Sequence, residues 1–296
     1  MEGLAPKTPE KNFSNKEALK ISFGFFSVAS EMHPGVNEDA ILVDDEEKTF
    51  GVFDGLGGRA AGDVASRTAC GFILNRIEKL IPSGISVEQA ENILLNLARQ
   101  TKEALIEKEH SDPKYEGMGT TLSLVKIHKN ENGELFAIVL NIGDSRTYKF
   151  NKKQEEGKEL EQVSFDDDEL SEKKNILPEE KKVIREHLAQ AKTPDDLNYF
   201  EQDLFNSRHK VAQELLGSTH CFSSVIKINA GDKFVIISDG IHDNLTFEEI
   251  KNVLAESGSD EDLAKRLVQE ATKRSNEKIM RSKYDDMTAV VISFNE

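Results

Sequence analysis

The chain has few of the residues that mark disulfide-rich, zinc-binding or membrane-spanning proteins. Its 296 residues include only two cysteines, Cys70 and Cys221, which form neither a CxxC pair nor a zinc-ligand spacing. Cys70 lies in an apolar helical pattern, where a core thiol is expected, and this sparse use of cysteine indicates a reducing compartment. No apolar run reaches the ~18 residues of a membrane span, so no membrane association is expected.

Basic residues are in deficit, with 38 Lys and Arg against 54 Asp and Glu, for a net charge of −16. Such a charge disfavours nonspecific binding to nucleic acid or to anionic membranes. A solubilising surface explains most of the acidic excess, although the charge also suits a protein that meets cations or basic partners. Residues 1–20 form a polar leader without the apolar core of a signal peptide. We therefore expect a cytoplasmic monomer, with export into another cell as the open alternative.

Apolar runs and turn signals predict an α+β fold for residues 21–296. Strands are predicted at residues 21–30, 40–44, 49–53, 120–128, 135–142, 145–150, 221–228, 233–238 and 287–294. Helices are predicted at residues 60–81, 87–107, 178–191, 195–216, 247–255 and 260–278. Antiparallel strands with helices grouped around them favour two stacked sheets with helices outside. The charged residues 151–216 break this rhythm, and we interpret them as a flap over a site rather than as an independent domain.

Four short acidic motifs are spread from one end of the chain to the other. They are Asn37-Glu38-Asp39, Asp54-Gly55-Leu56-Gly57-Gly58, Ser238-Asp239-Gly240 and Asp285-Asp286-Met287-Thr288. Three of them adjoin a predicted strand, so their carboxylates can converge on one point. Two like charges about 4 Å apart repel by roughly 4 kcal/mol at an effective dielectric near 20. Such a cluster therefore predicts a cation, and all-oxygen ligands suit Mg²⁺ and Mn²⁺.

Each motif alone is a weak signal. Asp-Gly is a common turn dipeptide, so Asp54-Gly55 or Asp239-Gly240 singly favours a turn over a metal ligand. The segment Gly57-Gly58-Arg59-Ala60-Ala61-Gly62 lacks the GxxxxGK[ST] pattern of a nucleotide-binding loop. A tight turn from strand to helix explains its glycines better.

The joint pattern is far more specific than its parts. In order, the chain carries VNEDA, FGVFDGLGGRAAG, GMGTTLSLV, NIGDSRTY, VIISDGIHDNL and YDDMTAVVI. This series resembles the metal-dependent protein phosphatases, the type 2C Ser/Thr phosphatases also called PPM, and in particular their bacterial type. The resemblance covers roughly residues 23–294. It implies a four-layer αββα sandwich, in which two central antiparallel sheets are flanked by helices, with a metal centre at one end and a flap insertion.

The resemblance also implies the ligands of two metal ions. Asp54 would bridge two Mn²⁺ or Mg²⁺ ions. Asp239 and Asp285 would bind the first ion. Glu38 and the main-chain carbonyl of Gly55 would bind the second.

Further acidic residues match positions with weaker or variable roles. Asp39 would act beside the ions, directly or through water. Asp144 and Asp243 match positions that, in some members, hold a third, weaker ion together with Asp239. The alternative is that Asp144 caps a turn and that Asp243 caps a helix or turn. Asp286 stands where many relatives have Asn, which looks tolerable because Asp285 is the matched ligand.

Two departures from the family pattern concern substrate phosphate and the general acid. Family members usually carry a phosphate-binding Arg at the position of Pro34, and Arg59 or His33 could replace it. An arginine at the position of Arg59 is more often simply a solvated residue at a helix start. Leu56 replaces the His that animal-type members use as a proposed general acid, as is common in bacterial-type members. His242 is then a candidate acid, with a packed or surface histidine as its alternative and water at the metal centre as the alternative donor.

The resulting hypothesis is hydrolysis of phosphoserine and phosphothreonine in proteins by water that two metal ions activate. Two metals can lower the pKa of a water from ~15.7 towards ~7, so no phosphoenzyme is needed. This agrees with the absence of an HCxxxxxR signature around either cysteine. Pro34 and the acidic flap motivate an alternative, a weak or inactive phosphatase-like regulatory module, and a phosphatase of a small phosphometabolite is a third possibility. We expect residues 164–216 of the flap to govern substrate choice.

Overall fold

Two five-stranded antiparallel sheets form the centre of the computed structural model, which describes residues 19–56, 61–82, 84–208, 214–217 and 220–296. The strands are β1 Lys20–Val28, β2 Ala40–Asp44, β3 Thr49–Phe53, β4 Leu122–Lys129, β5 Leu135–Ile142, β6 Arg146–Phe150, β7 Leu160–Gln162, β8 Phe222–Lys227, β9 Lys233–Ile237 and β10 Met287–Asn295. The first sheet has the order β1-β10-β9-β6-β7 and the second β2-β3-β4-β5-β8. Residues 1–18 of the predicted leader lie outside the described residues.

The described part of the chain contains the α-helices α1 Gly62–Leu80, α2 Val87–His110, α3 Glu169–Glu172, α4 Pro178–Gln190, α5 Tyr199–Asn206, α6 Asp239–His242, α7 Phe247–Ala255 and α8 Asp260–Ser275. Five of them cover the outer faces of the two sheets. The helices α1 and α2 share a core with the second sheet, and α6, α7 and α8 share one with the first. The predicted order of four layers, αββα, is therefore confirmed. No helix in the described part of the chain has the length and apolarity that crossing a membrane requires.

Period-two alternation explains why the central strands are buried on both faces. In β9, Phe234 and Ile236 pack between the two sheets, while Val235 and Ile237 pack against the helices. Successive side chains of a strand point to opposite faces, so a strand between two apolar layers needs apolar residues at every position. The two sheets are thereby held face to face, and the ends of their strands lie together at the two ends of the sandwich.

Capping boxes fix the starts of two predicted helices. Ser86 Oγ accepts a hydrogen bond from Gln89 N–H at the start of α2, and Thr246 does the same for Glu249 at the start of α7. In both cases the backbone N–H of the cap residue donates in return to the side-chain oxygen of the third helical residue, so that donors left unpaired by the first helical turn are satisfied.

The flap, residues 151–216, contains β7, α3, α4 and α5. The single long helix predicted at residues 195–216 is wrong. A 3₁₀ turn at Pro194–Asp196 comes first, and Asn198 then caps a new short helix by accepting from Glu201 N–H at 3.0 Å. Residues 209–213 lie outside the described part of the chain. Neither β7 nor α3 was predicted, since both are short and charged.

Arg281 attaches the flap to the body of the molecule. Its buried guanidinium donates to four carbonyl oxygens, those of Leu188 and Ala191 in the flap and those of His242 and Leu245 next to α6. Because one planar cation satisfies carbonyls on both sides, it fixes the flap beside the end of β9.

Candidate metal centre

Neighbouring strand ends bring the acidic motifs together. Asp239 follows β9, Asp285 precedes β10, and these two strands are paired in the first sheet. At the same edge, Ser238 N–H donates to the Thr288 carbonyl at 3.1 Å, and Thr288 N–H donates to Ser238 Oγ at 3.0 Å. The strand pairing therefore continues into both motifs and holds their carboxylates side by side.

The second sheet supplies Asp54 from the end of β3. Asp54 N–H donates to Thr121 Oγ1 at 3.0 Å, and Thr121 N–H donates to the Asp54 carbonyl at 2.9 Å. Gly55 N–H donates to the carbonyl of Glu38 at 3.2 Å, which joins this motif to the Asn37-Glu38-Asp39 segment. A side chain at Gly55 would place Cβ 2.4 Å from the Gly62 carbonyl oxygen. Glycine is required there by a close approach of backbones.

Gly240 shows the same requirement in the Ser238-Asp239-Gly240 motif. A Cβ at this position would lie 2.0 Å from the carbonyl oxygen of Asp286. The segment also continues as the short helix α6, which the sequence analysis missed because Asp-Gly is a common turn signal. Both Asp-Gly pairs therefore serve close packing of the motifs against each other.

Four carboxylates of the site affect one another: those of Asp39, Asp144 and Asp239 are buried, and that of Asp54 is half-buried. Burial raises the pKa of Asp54 well above its usual range, and the charges of Asp39 and Asp239 raise it further. Burial likewise raises the pKa values of Asp39 and Asp144 well above the ordinary value. For Asp239, burial raises the pKa to about 7, with Lys283 opposing and Asp285 adding to the shift.

Three buried carboxylate oxygens point to a cation. Oδ1 of Asp39, Oδ1 of Asp144 and Oδ1 of Asp239 have no hydrogen-bond partner among the residues that the structure describes. An unpaired buried carboxylate oxygen is costly, so the set fits hard divalent ions, which take oxygen ligands. The other oxygen of Asp39 is fixed by Ser238 Oγ–H, which donates to it at 2.9 Å.

A lysine that the sequence analysis missed lies among these acids. The ammonium of Lys283 contacts Asp239, lies 3.0 Å from Asp243 Oδ2 and lies 2.9 Å from Asp285 Oδ2. Burial opposes the charged form, but these carboxylates hold the pKa of Lys283 well above its usual range. Lys283 stands two residues before Asp285, a spacing that places both side chains on one face of an extended segment. That spacing was the available signal.

The negative charge of Asp243 is balanced by two cations, Lys283 and Arg208. Burial opposes ionisation, but Lys283 and Arg208 hold the pKa of Asp243 below its usual range. The Arg208 Nε atom lies 3.6 Å from Asp243 Oδ2. Asp144 and Asp243 flank a cavity of about 70 Å³ under the flap, which is also lined by Arg146 and Arg281. Both side chains thus line an interior cavity, and Asp243 is at the same time the C-cap residue of α6, as the alternative expectation had it.

His242 is packed in the interior. Its Nε2 atom lies 3.0 Å from the carbonyl oxygen of Asp144, so Nε2–H donates to that oxygen. Burial lowers the pKa of His242 well below its ordinary value, which keeps the ring neutral near pH 7. Nδ1 then carries no proton. This arrangement favours the packed-histidine alternative over the predicted role as a general acid.

Glu38 is grouped with two other residues. Atoms of His33, Glu38 and Asp286 that can bind metal all lie within 4.8 Å of one another. Burial and the charge of Asp286 raise the pKa of Glu38. The hydrogen bond that links His33 to the Val36 carbonyl raises the pKa of His33, and the charge of Asp286 adds to this shift. His33 therefore stands at the site as a more readily charged imidazole, while Arg59 lies outside the described residues.

The departure at Asp286 has a structural reason. Asp286 Oδ1 accepts from Ser30 N–H at 2.7 Å, and Oδ2 accepts from Glu38 N–H at 2.6 Å. A carboxylate has an acceptor at both oxygens, whereas an amide has an acceptor at one end only. Asp286 is thus placed to fix the backbone of Glu38.

Asp286→Asn is accordingly expected to destabilise the protein by about 1–3 kcal/mol, because the amide NH₂ would face a backbone N–H. Urea unfolding monitored by circular dichroism measures the change. Asp195→Asn, at an exposed position of the flap, makes the same chemical change and should leave stability unaltered. Equal stability of the two variants would show that one of these backbone N–H groups finds another partner.

Comparison with known proteins agrees with the clustering of acidic residues described above. The family model for protein phosphatase 2C matches residues 33–283. The serine/threonine protein phosphatase PstP of Mycobacterium tuberculosis is 26% identical over 218 residues, which cover 74% of this chain and 36% of PstP. The chain therefore spans about a third of the length of this curated relative.

Solved structures share the fold at low identity. The crystal structure of serine/threonine phosphatase Stp1 from Staphylococcus aureus has a TM-score of 0.72 at 22% identity and covers 100% of both chains. The catalytic domain of PstP in complex with two manganese ions has a TM-score of 0.68 at 22% identity, covering 94% of this chain and 100% of that one. These likenesses confirm the fold predicted from the six sequence segments.

Proposed function

The chain belongs to the protein phosphatase 2C family, and on this basis we propose that it is a Mn²⁺- or Mg²⁺-dependent phosphatase of phosphoserine and phosphothreonine in proteins. One observation carries the proposal. Carboxylates from four distant motifs converge at one end of the sandwich. Two of their buried oxygens, Oδ1 of Asp39 and Oδ1 of Asp239, and Oδ1 of the neighbouring Asp144 have no hydrogen-bond partner in the described part of the chain. Such a cluster suits divalent cations and little else.

The metal ligands follow from the positions of the motifs. Asp54 is proposed to bridge two ions, with Asp239 and Asp285 on the first. Glu38 and the carbonyl of Gly55 are proposed for the second. Asp39, held by Ser238 Oγ, stands beside them. Asp144 and Asp243 match the family position of a third ion.

The chemistry is that of phosphate monoester hydrolysis, among the slowest uncatalysed reactions. Two divalent ions supply a water nucleophile at neutral pH and offset the charge of the phosphate. The chain's own residues fix the geometry of the site. Hydrogen bonds between Asp54 and Thr121 and between Ser238 and Thr288 hold the carboxylates in position before any ligand binds. Such preorganisation is what a metal-dependent hydrolase needs.

His33 is proposed to help bind the substrate phosphate in place of the Arg that Pro34 replaces. The imidazole is 41% exposed at the rim of the site and 3.7 Å from Asp286. Its Nδ1 atom is engaged with the Val36 carbonyl at 2.9 Å, so an anion would be bound through Nε2. The raised pKa of His33 favours the cationic form that attracts phosphate. Arg59 remains a proposed second contributor.

The flap is proposed to select the protein substrate. Arg281 fixes it beside α6 through carbonyls on both sides, so the flap borders the same edge of the sandwich as the metal ligands. Its exposed apolar side chains include Tyr199, Leu177 and Val183. These could contact a peptide next to its phosphorylated residue.

A metal-dependence assay on a panel of substrates tests the function. The purified protein should release phosphate from phosphoserine and phosphothreonine peptides with Mn²⁺ but not with EDTA, and Asp239→Asn should be inactive. Turnover that survives EDTA would contradict the metal mechanism. Faster hydrolysis of sugar phosphates or nucleotides would indicate a metabolite phosphatase. Mn²⁺ binding by calorimetry without turnover of any substrate would indicate a regulatory module.

A further inference from the structure

Lys283 brings a fixed positive charge to the carboxylates proposed for a third ion. Its ammonium contacts Asp239 and lies 3.0 Å from Asp243 Oδ2, two of the three residues that match that position. It also lies 2.9 Å from Asp285 Oδ2. A point charge with three donors can satisfy three acceptors at once. The lysine therefore occupies the space in which a cation shared by Asp239 and Asp243 would lie.

The backbone of Lys283 is held in place by a buried asparagine. Lys283 N–H donates to Asn244 Oδ1 at 3.0 Å, and Asn244 Nδ2 donates to the Lys283 carbonyl at 2.9 Å and to the Gly240 carbonyl at 2.8 Å. Asn244 is fully buried. One side chain thus ties the lysine segment to the helix that carries Asp239 and Asp243, so the ammonium is directed at these acids by a built support.

The carboxylates around the Lys283 ammonium need a counter-charge. Asp239, Asp243 and Asp285 are half-buried or buried, and a like-charged group of this kind needs a counter-charge. The lysine supplies one whether or not metal is present, and it covers Asp243 Oδ2 together with one oxygen each of Asp239 and Asp285. The orphaned oxygens Oδ1 of Asp39, Asp144 and Asp239 lie outside its contacts and stay open to an ion.

We propose that Lys283 is a tethered cation that takes the place of a third metal ion, so that this chain binds two divalent ions and not three. This inference rests on the proposed function, because it presupposes that the site binds metal. When two ions are held by Asp54, Asp239 and Asp285, the ammonium stays on Asp243. The lysine thereby fixes the metal stoichiometry of the site.

The test is the number of Mn²⁺ ions bound per chain, measured by calorimetry and by metal analysis after gel filtration. Wild type is expected to bind two ions and Lys283→Gln to bind three, since Asp144, Asp239 and Asp243 are then free to share one. Lys283→Arg keeps the charge and should bind two. Three ions in wild type, or two in Lys283→Gln, would overturn the inference, whereas no ions in wild type would refute the proposed function itself.

Two further variants separate charge from folding. Lys283→Gln combined with Asp243→Asn has the same net charge as wild type but lacks a ligand, and it should bind two ions. Lys149→Gln breaks an ion pair of similar burial, in which Lys149 is 16% exposed and lies 3.0 Å from Asp232, at the opposite end of β9. It should bind two ions as well. A third ion in either variant would show that the extra site does not depend on Lys283 and Asp243.

Discussion

Asp54→Asn is expected to abolish hydrolysis and, without metal, to make the protein more stable at pH 7. Losing the carboxylate proposed to bridge two ions should lower kcat/KM by at least about a thousandfold, which corresponds to about 4 kcal/mol of transition-state stabilisation. In the metal-free protein the same change removes a charge that burial and the neighbouring Asp39 and Asp239 make unfavourable. The two effects have opposite signs because the site is built for an ion rather than for stability.

The size of the stability gain depends on pH. A buried Asp whose pKa is raised must take up a proton or remain an unfavourable anion, and proton uptake costs about 1.4 kcal/mol for each pH unit above its unfolded pKa. The Asp54→Asn variant has no proton to take up there, so it is expected to be more stable than wild type at pH 7, and this difference should vanish near about pH 4.

Urea unfolding in EDTA and turnover in Mn²⁺ measure the two effects on the same preparation. Mn²⁺ should raise the Tm of wild type, since a ligand that binds only the folded state stabilises it, and this rise should be much smaller for Asp54→Asn. Asp195→Asn at its exposed flap position is the control and should match wild type throughout. A variant that is less stable than wild type in EDTA would show that the Asp54 carboxylate is well accommodated without metal.

Local patterns predicted most of the sandwich. The strands Ala40–Asp44, Thr49–Phe53 and Leu135–Ile142 and the helix Phe247–Ala255 have the predicted bounds. In each, an apolar period and a turn or cap signal coincide, as in the capping box of Thr246 and Glu249. Where such signals were weak, prediction failed. The strand Leu160–Gln162 has only one buried residue, Leu160, and carries no apolar pattern.

The acidic residues of the site were predictable because their motifs adjoin strands, and pairing of β9 with β10 brings Asp239 and Asp285 to one edge. The counter-charges were not. Lys283 and Arg281 lie in an irregular segment between α8 and β10, where no periodic pattern indicates burial. The partners of Arg281, such as the carbonyls of Leu188 and Ala191, are backbone groups that any sequence would supply. Only tertiary structure shows which cation meets which acceptor.

Mn²⁺ is expected to reverse the pH dependence of stability. In the metal-free protein, Asp239 has a pKa raised to about 7, and the pKa values of Asp39, Asp54 and Asp144 are also raised, in each case chiefly by burial. A raised carboxylate pKa means that the folded state binds more protons than the unfolded state. Stability is therefore greatest below the unfolded pKa and falls as pH rises from about 4 to about 7.

The shifted pKa values of Asp243, Lys283 and His242 change the pH dependence of stability little between about pH 4 and about pH 7. The lowered pKa of Asp243 adds stability that is lost only as pH falls below the ordinary range of an Asp. The raised pKa of Lys283 acts at alkaline pH. The lowered pKa of His242 works in the opposite direction, since its unfolded ring takes up a proton below about pH 6.5, but it is one group against four carboxylates. For Asp239 alone the loss is on the order of 4 kcal/mol across the window.

With Mn²⁺ present the sign changes, because ions bind the deprotonated carboxylates and metal binding releases protons. Stabilisation by Mn²⁺ should therefore grow as pH rises from about 5 to about 7, where metal-free protein weakens. Urea unfolding at several pH values, in EDTA and in MnCl₂, gives the two slopes. Metal-free stability that rises through this window would mean that the buried carboxylates are ionised at no cost and that Lys283 alone balances them. A fall in EDTA with a rise in Mn²⁺ is the result expected of a cluster whose counter-charge is incomplete until metal binds.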